Sequence, residues 1–229
     1  MRRALVSLVC LLPAIVLTAC GGSGSGTTTS AAETTTAATT TTGSTSTVGC
    51  VEVAAPAPEP RSAEKPTESL DPAKTYEVTM KTNCGSFTIR IDQEQSPNTA
   101  ASFVSLVEGG FYDKTIFHRI VPDFVIQGGD PTGTGTGGPG YSTVDRPPSD
   151  AAYRQGVVAM AKTGAEAPGT AGSQFFIVTA VNAGLPSEYA IIGRVTDGIE
   201  VVDAIGQLGG LDELPTQVVE IEKATVAES

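Results

Sequence analysis

The chain has 229 residues, 40% of them hydrophobic and only 5% aromatic, with no tryptophan. That length fits one medium domain with extensions. Lysine and arginine number 14 against 25 acidic residues, a formal charge of −11, and a field of that sign repels phosphate backbones and excludes nucleic acid as an expected partner.

Met1-Arg2-Arg3 opens the chain with positive charge, Ala4 to Thr18 is almost uninterruptedly apolar, and the run ends in Leu17-Thr18-Ala19-Cys20. It is short for a membrane span, which takes about 20 residues, and has the make-up of an export signal. Its ending resembles the box of a bacterial lipoprotein. That resemblance implies a signal peptide over 1–19, cleavage before Cys20, and lipidation (palmitate) of Cys20. The protein would then be extracytoplasmic, anchored to the outer face of the cell membrane through lipid alone. An ordinary secretory signal cut nearby, or an uncleaved anchor, are the other readings. Cys10 leaves with such a signal. Cys50 and Cys84 then remain as a possible disulfide in an oxidising compartment, structural rather than redox-active because no Cys-x-x-Cys is present; two free thiols are the alternative.

Gly21 to Gly49 is dominated by Thr, Ser, Gly and Ala, and Ala54 to Pro72 is rich in proline and charge. Neither carries enough apolar mass to offset its ordering entropy, so 20–73 is expected to be a disordered tether. The composition changes at Lys74, and 74–226 is expected to be the folded domain. Thr75–Lys81 and Ser86–Ile91 read as a hairpin around Asn83-Cys84-Gly85. Ser96 as N-cap, Pro97 at the first helical position, and Ala100, Phe103, Leu106 and Val107 at helical spacing predict a helix, stopped by Gly109-Gly110. Short apolar runs follow at 115–121, 124–127, 156–161, 174–179 and 189–195. A short helix over Ile199–Gly206 and a last strand over Gln217–Thr225 complete a mainly β pattern. About eight strands, Gly-rich connections and two helices suggest a closed barrel capped by helices.

The usual catalytic groups are scarce. His118 is the single histidine, so no multi-histidine metal site can be built; zinc-ligand spacing and a Gly-x-Ser-x-Gly elbow are missing as well. Gly133-Thr134-Gly135-Thr136-Gly137-Gly138 fits the Gly-x-Gly-x-x-Gly pattern. That pattern binds phosphate only where it opens a helix after a strand, and Pro139-Gly140 forbids such a start. What remains is Phe117-His118-Arg119-Ile120-Val121-Pro122-Asp123-Phe124-Val125-Ile126-Gln127-Gly128-Gly129-Asp130, read as two strands joined at Pro122-Asp123. Alternation puts Phe117 and Arg119 on one face and His118 and Ile120 on the other; Phe124 and Ile126 oppose Val125 and Gln127. A second cluster, Gly172-Ser173-Gln174-Phe175-Phe176-Ile177-Val178-Thr179, puts Gln174, Phe176 and Val178 on one face, with Phe175 and Ile177 core-facing. Aromatic rings, amides and one guanidinium without a nucleophile suit an apolar pocket with oriented donors, not a hydrolase.

These two clusters, in this order, resemble the signature of cyclophilins, and the likeness runs from Lys74 to Val226. The resemblance implies an eight-stranded antiparallel barrel with two capping helices, peptidyl-prolyl cis–trans isomerase activity, no cofactor, and proline-containing unfolded or exported polypeptides as partners of a monomer. It implies catalytic roles for Arg119 and Gln127, and substrate binding by Phe124, Val125, Ala161, Lys162, Gln174, Phe176, Leu185 and Tyr189. Gln127 and Gln174 are expected to orient Arg119 and the substrate backbone. Val125, Lys162 and Tyr189 stand where the family carries Met, Asn and His, and Gly184 where it carries Trp, which removes a pocket wall and puts cyclosporin binding in question. A non-catalytic proline-peptide binding module or chaperone on the same scaffold is the alternative; a purely structural or adhesive lipoprotein is a further one.

Overall fold

The structure, a computed structural model, describes residues 49–229; the signal over 1–19, Cys20 and the tether up to residue 48 lie outside the described residues. The strands are β1 (Tyr76–Thr82), β2 (Gly85–Ile91), β3 (Thr115–Ile116), β4 (Arg119–Val121), β5 (Val125–Gly128), β6 (Thr143–Val144), β7 (Val157–Met160), β8 (Thr170–Ala171), β9 (Phe175–Val178), β10 (Ile191–Asp197) and β11 (Glu220–Glu228). The helices are α1 (Pro97–Glu108) and α2 (Ile199–Gly206).

Nine strands form one antiparallel sheet in the order β3-β11-β1-β2-β10-β7-β9-β5-β4, with β6 and β8 paired apart. The terminal strands of that sheet, β3 and β4, are separated in the chain only by Phe117 and His118. The sheet therefore curls until its edges nearly meet, a half-barrel that is not strictly closed. The eight expected strands become nine in the main sheet because the run 115–121 is two strands, not one, and the short β6–β8 pair is additional to them. Phe117 is fully buried, turns its N–H to the Val219 carbonyl at 2.9 Å, and stacks edge-on against Phe175. That break also overturns the alternation expected for this run: Phe117 joins Ile120 in the core, while Arg119 faces out.

Period-two burial explains the interior. Val78 and Met80 of β1, Phe87 and Ile89 of β2, Ile120, Ile126, Val158 and Ile177 are all fully buried. The aromatic centre is Phe103 of α1 against Tyr112 and Phe175. Helix α1 starts and stops where the sequence predicts, but Ser96 does not cap it through its side chain. The Asp145 carboxylate takes that place, accepting from the Thr99 N–H at 2.6 Å and the Asn98 amide at 2.8 Å, a position where negative charge is favoured by the helix dipole.

Residues 49–73, expected as part of the disordered tether, are irregular in backbone but fastened to the domain. Cys50 is disulfide-bonded to Cys84 in the β1–β2 turn. The Asn83 amide donates to the Val51 and Val218 carbonyls, tying this strap to the chain leading into β11. Farther along, Arg61 donates to the Phe111 and Asp113 carbonyls, the Glu59 N–H to the Pro131 carbonyl, and the Ala63 N–H to the Pro139 carbonyl. Partly buried Ala63 and Leu70 pack on the core. Backbone partners and a covalent bond supply the ordering that the composition lacks.

Candidate active site

Strands β4 and β5 make a hairpin whose turn is Pro122-Asp123. Pro122 fixes φ at the first corner, Asp123 accepts a left-handed φ of 55°, and the Phe124 N–H closes the turn on the Val121 carbonyl at 3.1 Å. The register then sets a row across the outer face of the sheet. Arg119 is opposite Gln127, Gln127 opposite Phe176 of β9, and Phe176 opposite Ala159 of β7. The inward partners in neighbouring rows are Ile120, Ile126, Ile177 and Val158. One face fills the barrel; the other carries a second, smaller apolar cluster of Val125, Tyr153, Ala159, Phe176, Val178 and Ile191, with Phe124, Leu185 and Tyr189 at its margin.

Into this outer cluster opens a cleft of about 240 Å³ lined by Arg119, Phe124, Val125, Gln127, Ala161, Lys162, Phe176, Leu185 and Tyr189. The sequence-predicted site residues therefore come together, with Gln174 alone outside the lining. Phe124 faces the cleft and not the core because it belongs to the turn, outside the strict alternation that buries Ile126. Gln174 stands next door: it accepts a hydrogen bond from the Gln127 amide at 3.1 Å and donates to the Gly137 carbonyl at 3.0 Å. It lines an adjoining groove of about 740 Å³ that shares Gln127, Ala161 and Lys162 with the cleft. A separate groove of about 690 Å³ runs past Arg90, Arg154 and Arg194 with Asp92 and Glu94. It shares no residue with the cleft and has no aromatic lining.

The cations of the cleft both have carboxylate partners. Arg119, its side chain one-third exposed, donates from Nε to Glu213 Oε2 at 2.7 Å. Among the described residues its terminal amino groups have no hydrogen-bonded protein partner. Gln127 therefore does not orient Arg119 by a hydrogen bond, contrary to the expected role, because its amide is engaged by Gln174. Lys162 extends over the Tyr189 ring at 5.5 Å and reaches Glu188 at 3.0 Å, an ammonium–aromatic arrangement that is itself attractive. Gly184, next to Leu185 in the chain, has a φ of 62° and open space where a side chain would project.

The Gly-rich segment after Asp130 opens no helix, as the sequence reading required. It wraps around the fully buried Asp130 carboxylate, which accepts from the Thr132 N–H at 2.7 Å, the Thr132 hydroxyl at 2.8 Å, the Gly137 N–H at 3.0 Å and the Thr134 N–H at 3.1 Å. Burial pushes this carboxyl up, but the donors together hold it below its ordinary value. His118 is buried with Nδ1 unpartnered, and burial lowers its pKa.

Sequence reasoning missed Glu213, Glu188, Tyr153 and Asp130. Glu213 is 94 residues from Arg119, beyond any local pattern. Asp130 alone carried a signal, an acid leading directly into a run of glycines and threonines.

The family model described as cyclophilin type peptidyl-prolyl cis-trans isomerase/CLD matches residues 77–226. The peptidyl-prolyl cis-trans isomerase CYP18-2 of Arabidopsis thaliana is 42% identical over 136 residues, 58% of this chain and 81% of that protein. Peptidyl-prolyl cis-trans isomerase-like 1 of Emericella nidulans is 39% identical over 158 residues, 67% of this chain and 96% of that protein. A crystal structure of a cyclophilin type isomerase from Cryptosporidium parvum, determined in the presence of the dipeptide Ala-Pro, superposes with a TM-score of 0.61 at 33% identity, covering 66% of this chain and 98% of the other.

Proposed function

The chain belongs to the cyclophilin type peptidyl-prolyl cis–trans isomerase family, and from that premise we propose that the Arg119 cleft isomerises X–Pro bonds of exported polypeptides at the cell envelope. The observation that carries the chemical reading is the row Arg119–Gln127–Phe176 across β4, β5 and β9, which sets a permanent cation beside an aromatic floor.

Rotation about the peptide bond meets a barrier of roughly 18–20 kcal/mol, because amide resonance resists twisting, and uncatalysed prolyl exchange takes about 10–100 s. As the bond twists, the prolyl nitrogen loses conjugation and its lone pair localises. Arg119 is always protonated and planar. Its free terminal amino groups are placed to donate to that nitrogen, stabilising the twisted state more than the planar one. Phe124, Val125, Ala161, Phe176, Leu185 and Tyr189 hold the proline ring in water-poor surroundings that strengthen the donor. Gln127, held by Gln174, keeps an amide at the floor for the substrate backbone. No bond is made or broken, so no nucleophile is required.

The envelope setting rests on three supports: the export-signal pattern ending at Cys20, the tether composition up to residue 48, and the Cys50–Cys84 disulfide, a bond that persists in oxidising compartments. In this reading Cys20 carries lipid, the protein is monomeric, and the membrane is met only through that anchor. No helix of the described residues is long and apolar enough to cross a membrane.

Arg119→Ala tests the chemistry. Prolyl isomerisation of a short peptide is expected to fall about 10²–10³-fold, the scale of losing a transition-state donor, with an unchanged circular dichroism spectrum. Retained activity would remove Arg119 from its role. Intact mass of membrane-extracted protein tests the setting; an unmodified Cys20 would end the lipid anchor.

A further inference from the structure

Strand β4 is an edge of the curled sheet, and an edge strand presents unpaired backbone groups unless something covers them. Here the cover is the loop between α2 and β11. Its tip folds back on itself: the Gly210 N–H donates to the Leu214 carbonyl at 2.8 Å, the Glu213 N–H to the Gly210 carbonyl at 3.1 Å, and the Thr216 N–H to the Leu208 carbonyl at 2.7 Å. Gly209 lets this loop close on β4, since a Cβ there would fall 2.5 Å from the Ile120 carbonyl and 2.6 Å from Pro122.

Glu213 makes two contacts with β4 at adjacent residues. Its carbonyl accepts from the Ile120 N–H at 2.9 Å, and its carboxylate accepts from Arg119 Nε at 2.7 Å. It does so with a left-handed φ of 65°, a region that costs a residue with a long side chain and that glycine would occupy freely. A glutamate held in such a conformation points to a task for its carboxylate. Stabilisation of the fold is a poor candidate, because the Glu213 side chain is half exposed and ion pairs of that kind contribute little. Orientation is a better one. A guanidinium is planar, so fixing the direction of its Nε–H fixes the plane and the aim of the two terminal amino groups.

We propose that Glu213 is a positioning residue for the isomerisation: it holds Arg119 by Nε so that both terminal amino groups stay directed at the cleft, with the backbone bond to Ile120 fixing the height of the carboxylate. The proposal rests on the reading of Arg119 as the donor to the prolyl nitrogen. Without Glu213 the guanidinium samples orientations that miss the twisting nitrogen, which lowers kcat and leaves ring binding by Phe124, Phe176 and Leu185 intact.

The test is a double-mutant cycle on the folded chain with a short Ala-Pro peptide, reading kcat and KM separately. Glu213→Ala is expected to lower kcat about tenfold with KM within about twofold, and Glu213→Gln, which keeps an acceptor oxygen, to recover most of the loss. On an Arg119→Ala background, Glu213→Ala is expected to cost nothing further. Arg119 Nε–H resonances provide a second readout, with faster hydrogen exchange expected in Glu213→Ala. A full-rate Glu213→Ala beside an inactive Arg119→Ala would overturn the proposal alone, as would equal losses on both backgrounds. An Arg119→Ala variant of full activity would instead sink the reading of the cleft and take the proposal with it.

Discussion

Tyr153 holds Tyr189 by both polar groups of a single backbone unit: its hydroxyl donates to the Tyr189 carbonyl at 2.8 Å and accepts from the Tyr189 N–H at 2.9 Å. Tyr189 in turn meets Phe176 edge to face, ring centres 5.4 Å apart, so a residue buried behind the cleft sets the angle between two of its walls. Tyr153→Phe removes the hydroxyl and leaves two backbone groups without that partner. We expect a stability loss of about 1–3 kcal/mol and a severalfold rise in KM for proline peptides. Urea denaturation and steady-state kinetics check both, and an unchanged KM would show that Tyr189 is held by packing alone.

The charge of Lys162 is balanced by Glu188 on the rim of the cleft. The lysine side chain is only 4% exposed, so its ammonium depends on that partner, on the Tyr189 ring, and on the Thr163 and Glu166 carbonyls, each at 3.3 Å. Glu188→Gln uncovers a positive charge on the rim of the cleft. Peptides with Glu before proline are then expected to gain about fivefold over peptides with Ala there, a preference of about 1 kcal/mol, and to lose the advantage as salt rises. Equal kcat/KM ratios in wild type and variant would show that the charge is not felt by the substrate.

Two buried groups predict a stability that declines in two stages on acidification. Burial holds His118 below its ordinary 6.5, with Asp130 pulling it up and Arg119 pushing it down. The folded state thus binds its proton less readily than the unfolded chain, and stability falls as pH drops from 6.5 through the depressed value. Asp130 is held below 3.8 by its ring of donors in spite of burial. Its contribution is complete above 3.8 and lost as pH falls through the folded value. Denaturation midpoints measured across pH should lose the first stage in His118→Phe and the second in Asp130→Asn. Parallel profiles in wild type and variants would refute both assignments.

The Cys50–Cys84 bond closes a span of 34 residues. Chain entropy assigns such a loop about 3–4 kcal/mol of stabilisation. Replacing both cysteines with serine should remove that amount in a denaturant titration and admit protease between residues 51 and 58, before the contacts of Glu59 and Arg61 begin. An unchanged cleavage pattern would show that the strap is fastened by its hydrogen bonds alone.

Much of this architecture was written locally. Pro97 and Gly109-Gly110 bound α1, alternation set β1 and β2, and the two signature runs supply Arg119, Phe124, Val125, Gln127 and Phe176 to one cleft, which Ala161, Lys162, Leu185 and Tyr189 complete from outside those runs. Where sequence reasoning failed, the deciding partner was remote. Ser96 looked like a cap, but Asp145, far along the chain, supplies the acceptor. The run 115–121 read as one strand because nothing in it shows that Phe117 will bond to Val219 and turn inward. The stretch 49–73 read as unstructured because composition reports apolar mass and says nothing of a disulfide or of carbonyls waiting on a neighbouring loop. Glu213 was invisible for the same reason: an exposed acid in a turn has no pattern until the turn is folded against β4.

The row Arg119–Gln127–Phe176 lies on the outside of the curled sheet, and the barrel interior is filled with Phe87, Phe117, Phe175 and their neighbours. A client chain need not be threaded or presented by a free end. It can be laid sideways across the surface, held at one proline, and released with both flanks still engaged elsewhere. That geometry favours loops of half-assembled proteins as readily as slack, unfolded chains.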